Sequence, residues 1–345
     1  MLNLKEFDFK NKRVLVRCDF NVPLGDQGEV LDDFRIKQTL PTIEYLIKKE
    51  AKLILMSHLG RPEGKIVKEL RLTPVQNRLM EYLDLSVVKA PDCLGPEIEK
   101  WTYEMKSGEI LLLENLRFHK EEEEGDLNFA KELAKLGDIY INDAFGVSHR
   151  SHASITGVPK FLPSGAGLLL EKEIKNLTEL SNNPERPLVV VIGGAKMETK
   201  TELINKMSKS ADFVLINGLL SREIKEKNIR LKYPQKIVEP FNEISEKDIG
   251  PRTINLFKEK INSAKTVFWN GPLGQIEKEE FTRGTKEIAE AIAQSQAFSV
   301  VGGGETVEFI AKFGLIEKFN HVSTGGGAML EFLSGQKLPG IEALK

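Results

Sequence analysis

Residues 187–200 read PLVVVIGGAKMETK, and how this stretch is interpreted decides the fold class. Val189, Val190, Val191 and Ile192 form a β-branched run without a polar face, which suits a strand buried on both sides of a parallel sheet. Gly193 and Gly194 then allow a tight turn and a close approach of backbone to a ligand. Lys196 and Lys200 stand at i, i+4, so on a helix both ammonium groups lie on one face near its N-terminus. A helix N-terminus already favours anions, and two lysines there add a local site for phosphate oxygens. Alone, the stretch reads equally well as a buried strand, a glycine turn and two solvated lysines. Its recurrence along the chain separates the two readings.

Downstream, residues 212–218 (DFVLING) form a strand ending in Asn217-Gly218, and 266–269 a strand ending in Asn270-Gly271-Pro272. Residues 298–301 run into Gly302-Gly303-Gly304-Glu305-Thr306, and 321–324 into Gly325-Gly326-Gly327. Ile254, Phe257 and Ile261 mark one helix, and 278–294 is read as another. Strands that end in glycine turns expose backbone N–H groups, which make anion-binding nests. Residues 221–249 are charged and weakly periodic and give no clear element.

Upstream, the strands end differently. Residues 13–22 (RVLVRCDFNV) read as a strand on which Arg17, Asp19 and Asn21 alternate and so share one side. Residues 52–57 run into His58-Leu59-Gly60-Arg61, 109–115 end just before Arg117, and 138–145 precede His149, Arg150 and His152. In open α/β sheets ligands bind beyond the carboxyl ends of strands. There Arg17, Arg35, Arg61, Arg117 and Arg150 would gather as guanidinium groups for phosphate or carboxylate. The acidic run 121–124 reads as a solvated loop or helix start with no chemistry. His149 and His152 have no carboxylate or thiol cluster to complete a metal site. A helix over 171–180 joins the halves.

The composition sets bounds on function. The 345 residues, 41% hydrophobic and 29% charged, suffice for two domains with real cores. A formal charge of −2 leaves no global basic field for nucleic acid or anionic membrane, so any positive site is local. Cys18 and Cys93 share no metal-ligand spacing and suggest no disulfide framework. The N-terminus has no apolar signal core and no apolar run reaches spanning length, so a cytoplasmic location is expected. No Walker-type loop is present, and no G-x-G-x-x-G opens a helix after a strand, which weakens the P-loop and nicotinamide-dehydrogenase readings.

Taken together, RCDFNVPL, FRIK, SHLGRP, LLENLRF, NDAFGVSHRSH, GGAKMETK, VFWNGPLG, GGGET and HVSTGGGA resemble the phosphoglycerate kinase family, in its order and along most of the chain. The resemblance implies an α/β fold of two domains, each a mainly parallel sheet flanked by helices, facing across a cleft. Residues 1–165 would bind phosphoglycerate, with a tail 331–345 packing back on them, and 166–330 would bind nucleotide. By the same resemblance Asp19, Phe20, Asn21, Arg35, His58, Leu59, Gly60, Arg61, Arg117 and Arg150 would hold 3-phosphoglycerate or 1,3-bisphosphoglycerate. Lys196, Lys200, Asn270, Glu277, Gly303, Gly304, Glu305 and Thr306 would hold ADP or ATP with Mg²⁺, and Arg35, Lys196 and Lys200 would act on the transferred phosphoryl group. Partners would be these small molecules, with no nucleic acid or membrane, and the chain a monomer.

Three departures from the family pattern stand out. Glu305 occupies the place of an Mg²⁺-binding Asp; Asn217-Gly218-Leu219 replaces a glycine triplet that opens toward adenine; and the chain is short between Leu220 and Thr266. These leave open a rival reading, a phosphoglycerate-binding relative with impaired or altered nucleotide use.

Overall fold

The computed structural model describes residues 2–194 and 197–345, and the side chains of 197–199 are not described. The chain divides into two compact units, 1–173 with 337–345, and 174–336. The division falls inside one long helix.

The first unit holds a seven-stranded sheet: β1 (Leu2–Asn3), β2 (Arg13–Arg17), β3 (Lys52–Met56), β4 (Val87–Lys89), β5 (Ile110–Leu112), β6 (Ile139–Asn142) and β7 (Ser164–Ala166). Its order is β1-β7-β6-β2-β3-β5-β4, and every pair is parallel. β2 is buried at all five residues, as a central strand covered on both faces must be. Helices α1 (Phe34–Lys48), α2 (Thr73–Leu83), α3 (Pro96–Glu104), α4 (Lys120–Glu124) and α5 (Leu127–Ala134) make the crossovers and cover the sheet. Val14 and Val16 of β2, Leu53 and Leu55 of β3 and Ile43 and Leu46 of α1 share one core. Helix α6 (Leu168–Asn182) leaves this unit; Asp143, just past β6, accepts the Leu169 and Leu170 N–H groups at 2.9 and 3.2 Å. These are amides of its open first turn.

The second unit has a six-stranded sheet of β8 (Leu188–Ile192), β9 (Phe213–Ile216), β10 (Ile237–Val238), β13 (Thr266–Asn270), β14 (Phe298–Gly302) and β15 (His321–Val322), in the parallel order β10-β9-β8-β13-β14-β15. A separate hairpin pairs β11 (Glu243–Ile244) with β12 (Asp248–Ile249). Its helices are α7 (Met197–Ser210), α8 (Gly218–Glu226), α9 (Pro251–Ser263), α10 (Arg283–Gln294), α11 (Gly304–Lys312) and α12 (Gly327–Leu333). The last helix, α13 (Pro339–Glu342), belongs to the first unit, where the Gly340 N–H donates to the Ser148 carbonyl at 2.8 Å. Among the described residues no helix is long and apolar enough to cross a membrane.

Both sheets are of the open parallel α/β kind that the buried apolar runs indicate. Local expectations fail in three places. β2 stops at Arg17 rather than Val22, so Arg17, Asp19 and Asn21 do not alternate along one strand. The segment read as one helix over 278–294 is a short 3₁₀ turn, Glu279–Phe281, followed by α10. The acidic run lies in a helix, α4, one of the two readings, but its Glu122 is fully buried rather than solvated.

Candidate active site

Both sheets have a point where the strand order reverses. In the first it lies between β2 and β6, and in the second between β8 and β13. Open α/β sheets bind ligands in the crevice beyond the carboxyl ends of the strands at such a point. Each unit carries polar residues there.

In the first unit, Asp19 and Asn21 follow β2, His58 follows β3 and Arg117 follows β5. Asp19 Oδ2 lies 3.0 Å from Arg35 Nη1 on α1, and that nitrogen also donates to the Asn21 carbonyl at 3.2 Å. Asn21 Oδ1 accepts the Gly60 N–H at 2.8 Å, and the Gly60 carbonyl accepts from Arg117 Nη1 at 2.8 Å. The structure therefore joins Asp19, Asn21, Arg35, Gly60 and Arg117 in one hydrogen-bonded chain. Arg61 and Arg150 are exposed. Burial pushes the Arg117 guanidinium below its ordinary value, with Glu123 opposing the shift, but an arginine so placed remains charged at neutral pH.

Phe20 and Leu59 take a different place. Their side chains lie in the core, at 0% and 1% exposure. Their N–H groups go to Ser57 Oγ and Asn115 Oδ1 at 2.9 and 3.2 Å, and their carbonyls accept from Val22 N–H and Asn115 Nδ2. Both fix the loops that carry Asn21 and Gly60, and each of their N–H and carbonyl groups is hydrogen-bonded within the protein. Arg17 also leaves the expected guanidinium cluster, because it is wholly buried beneath it.

In the second unit the turns after β8 and β13 interlock. Gly193 N–H donates to the Asn270 carbonyl at 2.9 Å and Gly194 N–H to the Pro272 carbonyl at 2.8 Å. A β-carbon on Gly193 would collide with the Pro272 backbone, which explains the need for glycine. Lys200 Nζ, buried, is hydrogen-bonded to Asn270 Oδ1, and Asn270 Nδ2 donates to the Gly302 carbonyl at 2.7 Å. Burial lowers Lys200 to about 8, with Glu305 opposing the shift. Gly303 has φ +102° and its missing β-carbon would meet Asn270, so the turn into α11 packs on the same amide. Thr306 Oγ1 accepts the Gly271 N–H at 2.9 Å, which ties the turn after β13 to α11. Gly304 and Glu305 are exposed at the start of α11. A cavity of about 400 Å³ opens here, lined by Gly194, Asn217, Gly218, Glu243, Pro272, Glu277 and Glu305 among others. Lys196 lies outside the described residues.

Three arrangements escape sequence reading. Arg222 of α8 binds Glu243 of β11 at 2.5 Å, fastening the hairpin against the cavity. Ser245 and Glu246, at its tip, both have positive φ. Asp92, Cys93 and His119 come together with ligand atoms within 4.8 Å of one another, although nothing in their spacing announces it. Asp92 Oδ1 already accepts the Cys93 N–H at 2.6 Å and pairs with His119 Nε2 at 2.7 Å, while burial pushes the Cys93 thiol well up. These groups are satisfied without an ion. The third arrangement surrounds Glu122.

Comparison with known proteins bears on these geometries directly. The family model described as phosphoglycerate kinase matches residues 4–228 and 223–336. The phosphoglycerate kinase of Dictyoglomus turgidum is 45% identical over 392 positions, covering 100% of this chain and 98% of the relative. That of Moorella thermoacetica is 43% identical, covering 99% and 98%. Among solved structures, phosphoglycerate kinase from Pyrococcus horikoshii OT3 superposes with a TM-score of 0.88 at 33% identity, covering 100% of this chain and 98% of its own. The Coxiella burnetii phosphoglycerate kinase gives 0.83 at 34%, covering 99% and 98%. The two family matches overlap at residues 223–228, at the end of α8, and the first alignment spans more positions than the chain has residues.

Proposed function

The chain belongs to the phosphoglycerate kinase family, and from that premise we propose how its residues divide the work of the reaction. It is a phosphotransferase of glycolysis that acts on small-molecule substrates and a nucleotide. The reaction is reversible transfer between 1,3-bisphosphoglycerate and MgADP, giving 3-phosphoglycerate and MgATP. In the reverse direction a carboxylate oxygen of 3-phosphoglycerate attacks the γ-phosphorus of ATP, and the bond to the ADP oxygen breaks.

In this reading the first unit holds the phosphoglycerate through Arg35, His58, Arg61, Arg117 and Arg150, with Asp19 and Asn21 setting Arg35 and Gly60. Four of the seven are arginines, which suits a ligand carrying a phosphate and a carboxylate. The second unit holds the nucleotide phosphates through Lys200 and the amides of the turn into α11, with Glu277 on the ribose side. Lys196 is assigned to the phosphates by its motif alone. Glu305 supplies a hard carboxylate oxygen beside the same cavity, which is the donor type Mg²⁺ takes. Arg35, Lys196 and Lys200 would neutralise charge on the moving phosphoryl group, so catalysis is positioning plus electrostatics, without a covalent enzyme intermediate. Bond formation requires the two substrates to meet, and α6 is the element about which closure would occur.

The observation that carries this reading is Lys200, a buried ammonium held by Asn270 at the strand-order reversal of the second unit. A coupled assay with ADP, GDP or no nucleotide, in Mg²⁺ and in Mn²⁺, tests it. Turnover that depends on both 3-phosphoglycerate and nucleotide supports the reading; binding of 3-phosphoglycerate without turnover on any nucleotide contradicts it. A monomeric state and a cytoplasmic location belong to the same reading, and light scattering on the purified chain tests the first.

A further inference from the structure

Beneath the proposed phosphoglycerate site lies a buried group of charged and polar residues that the reaction does not use directly. Glu122, on α4, is wholly buried. It accepts the Ser154 N–H at 2.9 Å and the Ser154 hydroxyl at 2.6 Å, and lies 3.7 Å from Arg17 Nη2 and 3.8 Å from His152 Nδ1. Arg17, equally buried, donates from Nε to Ser154 Oγ at 2.8 Å and from Nη1 to the Cys18 carbonyl. Its Nη2, which faces Glu122, also faces His58 Nδ1 at 3.3 Å.

An arginine has donors and no acceptor. A contact between its Nη2 and His58 Nδ1 is therefore a hydrogen bond only if Nδ1 carries the lone pair. The imidazole proton is then on Nε2, and among the described residues no group accepts from that nitrogen. His58 is also kept neutral. Burial is the main cause, and Arg17, Arg117, Arg35 and His152 all disfavour the imidazolium, with Asp19 at 4.0 Å the acidic neighbour facing it. A neutral imidazole whose Nε2–H has no partner among the described residues offers an anionic ligand a donor whose protonation state is constant through neutral pH.

We infer that Glu122 is a positioning residue: through Ser154 and Arg17 it holds His58 in the Nε2–H tautomer that donates to the phosphoglycerate. The role needs a buried acid, because an uncompensated guanidinium at this depth would be expelled or would drag its partners with it. Arg17 could not reach the imidazole without a counter-ion, and Ser154, hydrogen-bonded to both Arg17 and Glu122, sets the distance between them. The inference rests on the proposed substrate for its consequence, but not for its geometry.

The two are separable by experiment. Nitrogen-15 spectra of the histidines in the ligand-free protein report the tautomer without any assumption about activity. His58 is expected to show a protonated Nε2 and a bare Nδ1 from pH 6 to 8. In Glu122→Gln the spectrum should become a mixture of tautomers, and KM for 3-phosphoglycerate should rise about tenfold while kcat and the nucleotide KM stay within about threefold. Ser154→Ala, which leaves both charges in place, should give the same changes at about a third of that size and covers the case in which Glu122→Gln does not fold. A wild-type His58 protonated on Nδ1 overturns the inference, as does an unchanged His58 spectrum in both variants or an equal rise in both KM values. If the wild type does not bind 3-phosphoglycerate at all, the functional reading fails and the tautomer result stands by itself.

Discussion

Lys200 shows how one residue links burial to chemistry. Taking an ammonium out of water favours its neutral form, and the structure brings this one to about 8, against an ordinary 10.5. A phosphate placed beside it would favour the charged form again. Nucleotide binding at pH 8.5 to 9 should therefore take up a proton, seen in calorimetry as a binding heat that varies with the ionisation enthalpy of the buffer; Lys200→Met should abolish that variation. Lys200→Ala should lower turnover by about 10²–10³-fold, the usual loss when a preorganised charge donor is removed. Turnover within a few-fold of the parent would contradict its role. Glu305 stands where its extra methylene moves a carboxylate by one bond length, and Mg²⁺ requires near-octahedral geometry. Glu305→Asp should lower the Mg²⁺ concentration needed for half-maximal rate, and an unchanged metal titration would place Glu305 outside the ion's coordination.

Among the elements, α6 carries the clearest pH signature. Asp143 accepts two of its first-turn amides, yet burial still raises that carboxyl from 3.8 to about 7. Between those values the native chain holds a proton that the unfolded chain has lost. The contribution to stability is therefore full below about 4 and is lost as pH rises through about 7. Melting temperature should fall across that window more steeply in the parent than in Asp143→Asn, and parallel curves would show that Asp143 does not titrate there. Element by element, the long parallel strands could be read from sequence because two-sided burial leaves an apolar run such as 189–192. β4, β7 and β10 to β12, each of two or three residues, are too short to carry a period and emerge only through their neighbours. Glu122 was illegible for another reason. Its neighbours in sequence are acidic and partly solvated, and its burial is imposed by Arg17 on a distant strand. Phe20 and Leu59 sit inside site motifs, and only the packed structure shows that their side chains lie in the core and their backbone groups bond within the protein.

At the scale of the whole molecule, two parallel sheets with reversed strand order end in different polar groups: guanidinium groups in the first unit, a buried lysine and glycine turns in the second. Those residue types at the strand ends could be read from the sequence. The hairpin β11–β12 beside the cavity of the second unit could not, because strands of two residues carry no period. The most direct test of the account is phosphorus-31 spectroscopy of the purified chain with MgATP and hydroxylamine, which removes any acyl phosphate formed and so draws the uphill transfer forward, before and after addition of 3-phosphoglycerate. The account expects ADP and inorganic phosphate, released as hydroxylamine captures the acyl group, to accumulate together and only when both substrates are present. ATP signals that stay unchanged on adding 3-phosphoglycerate, or ADP that forms equally fast without it, would contradict the account.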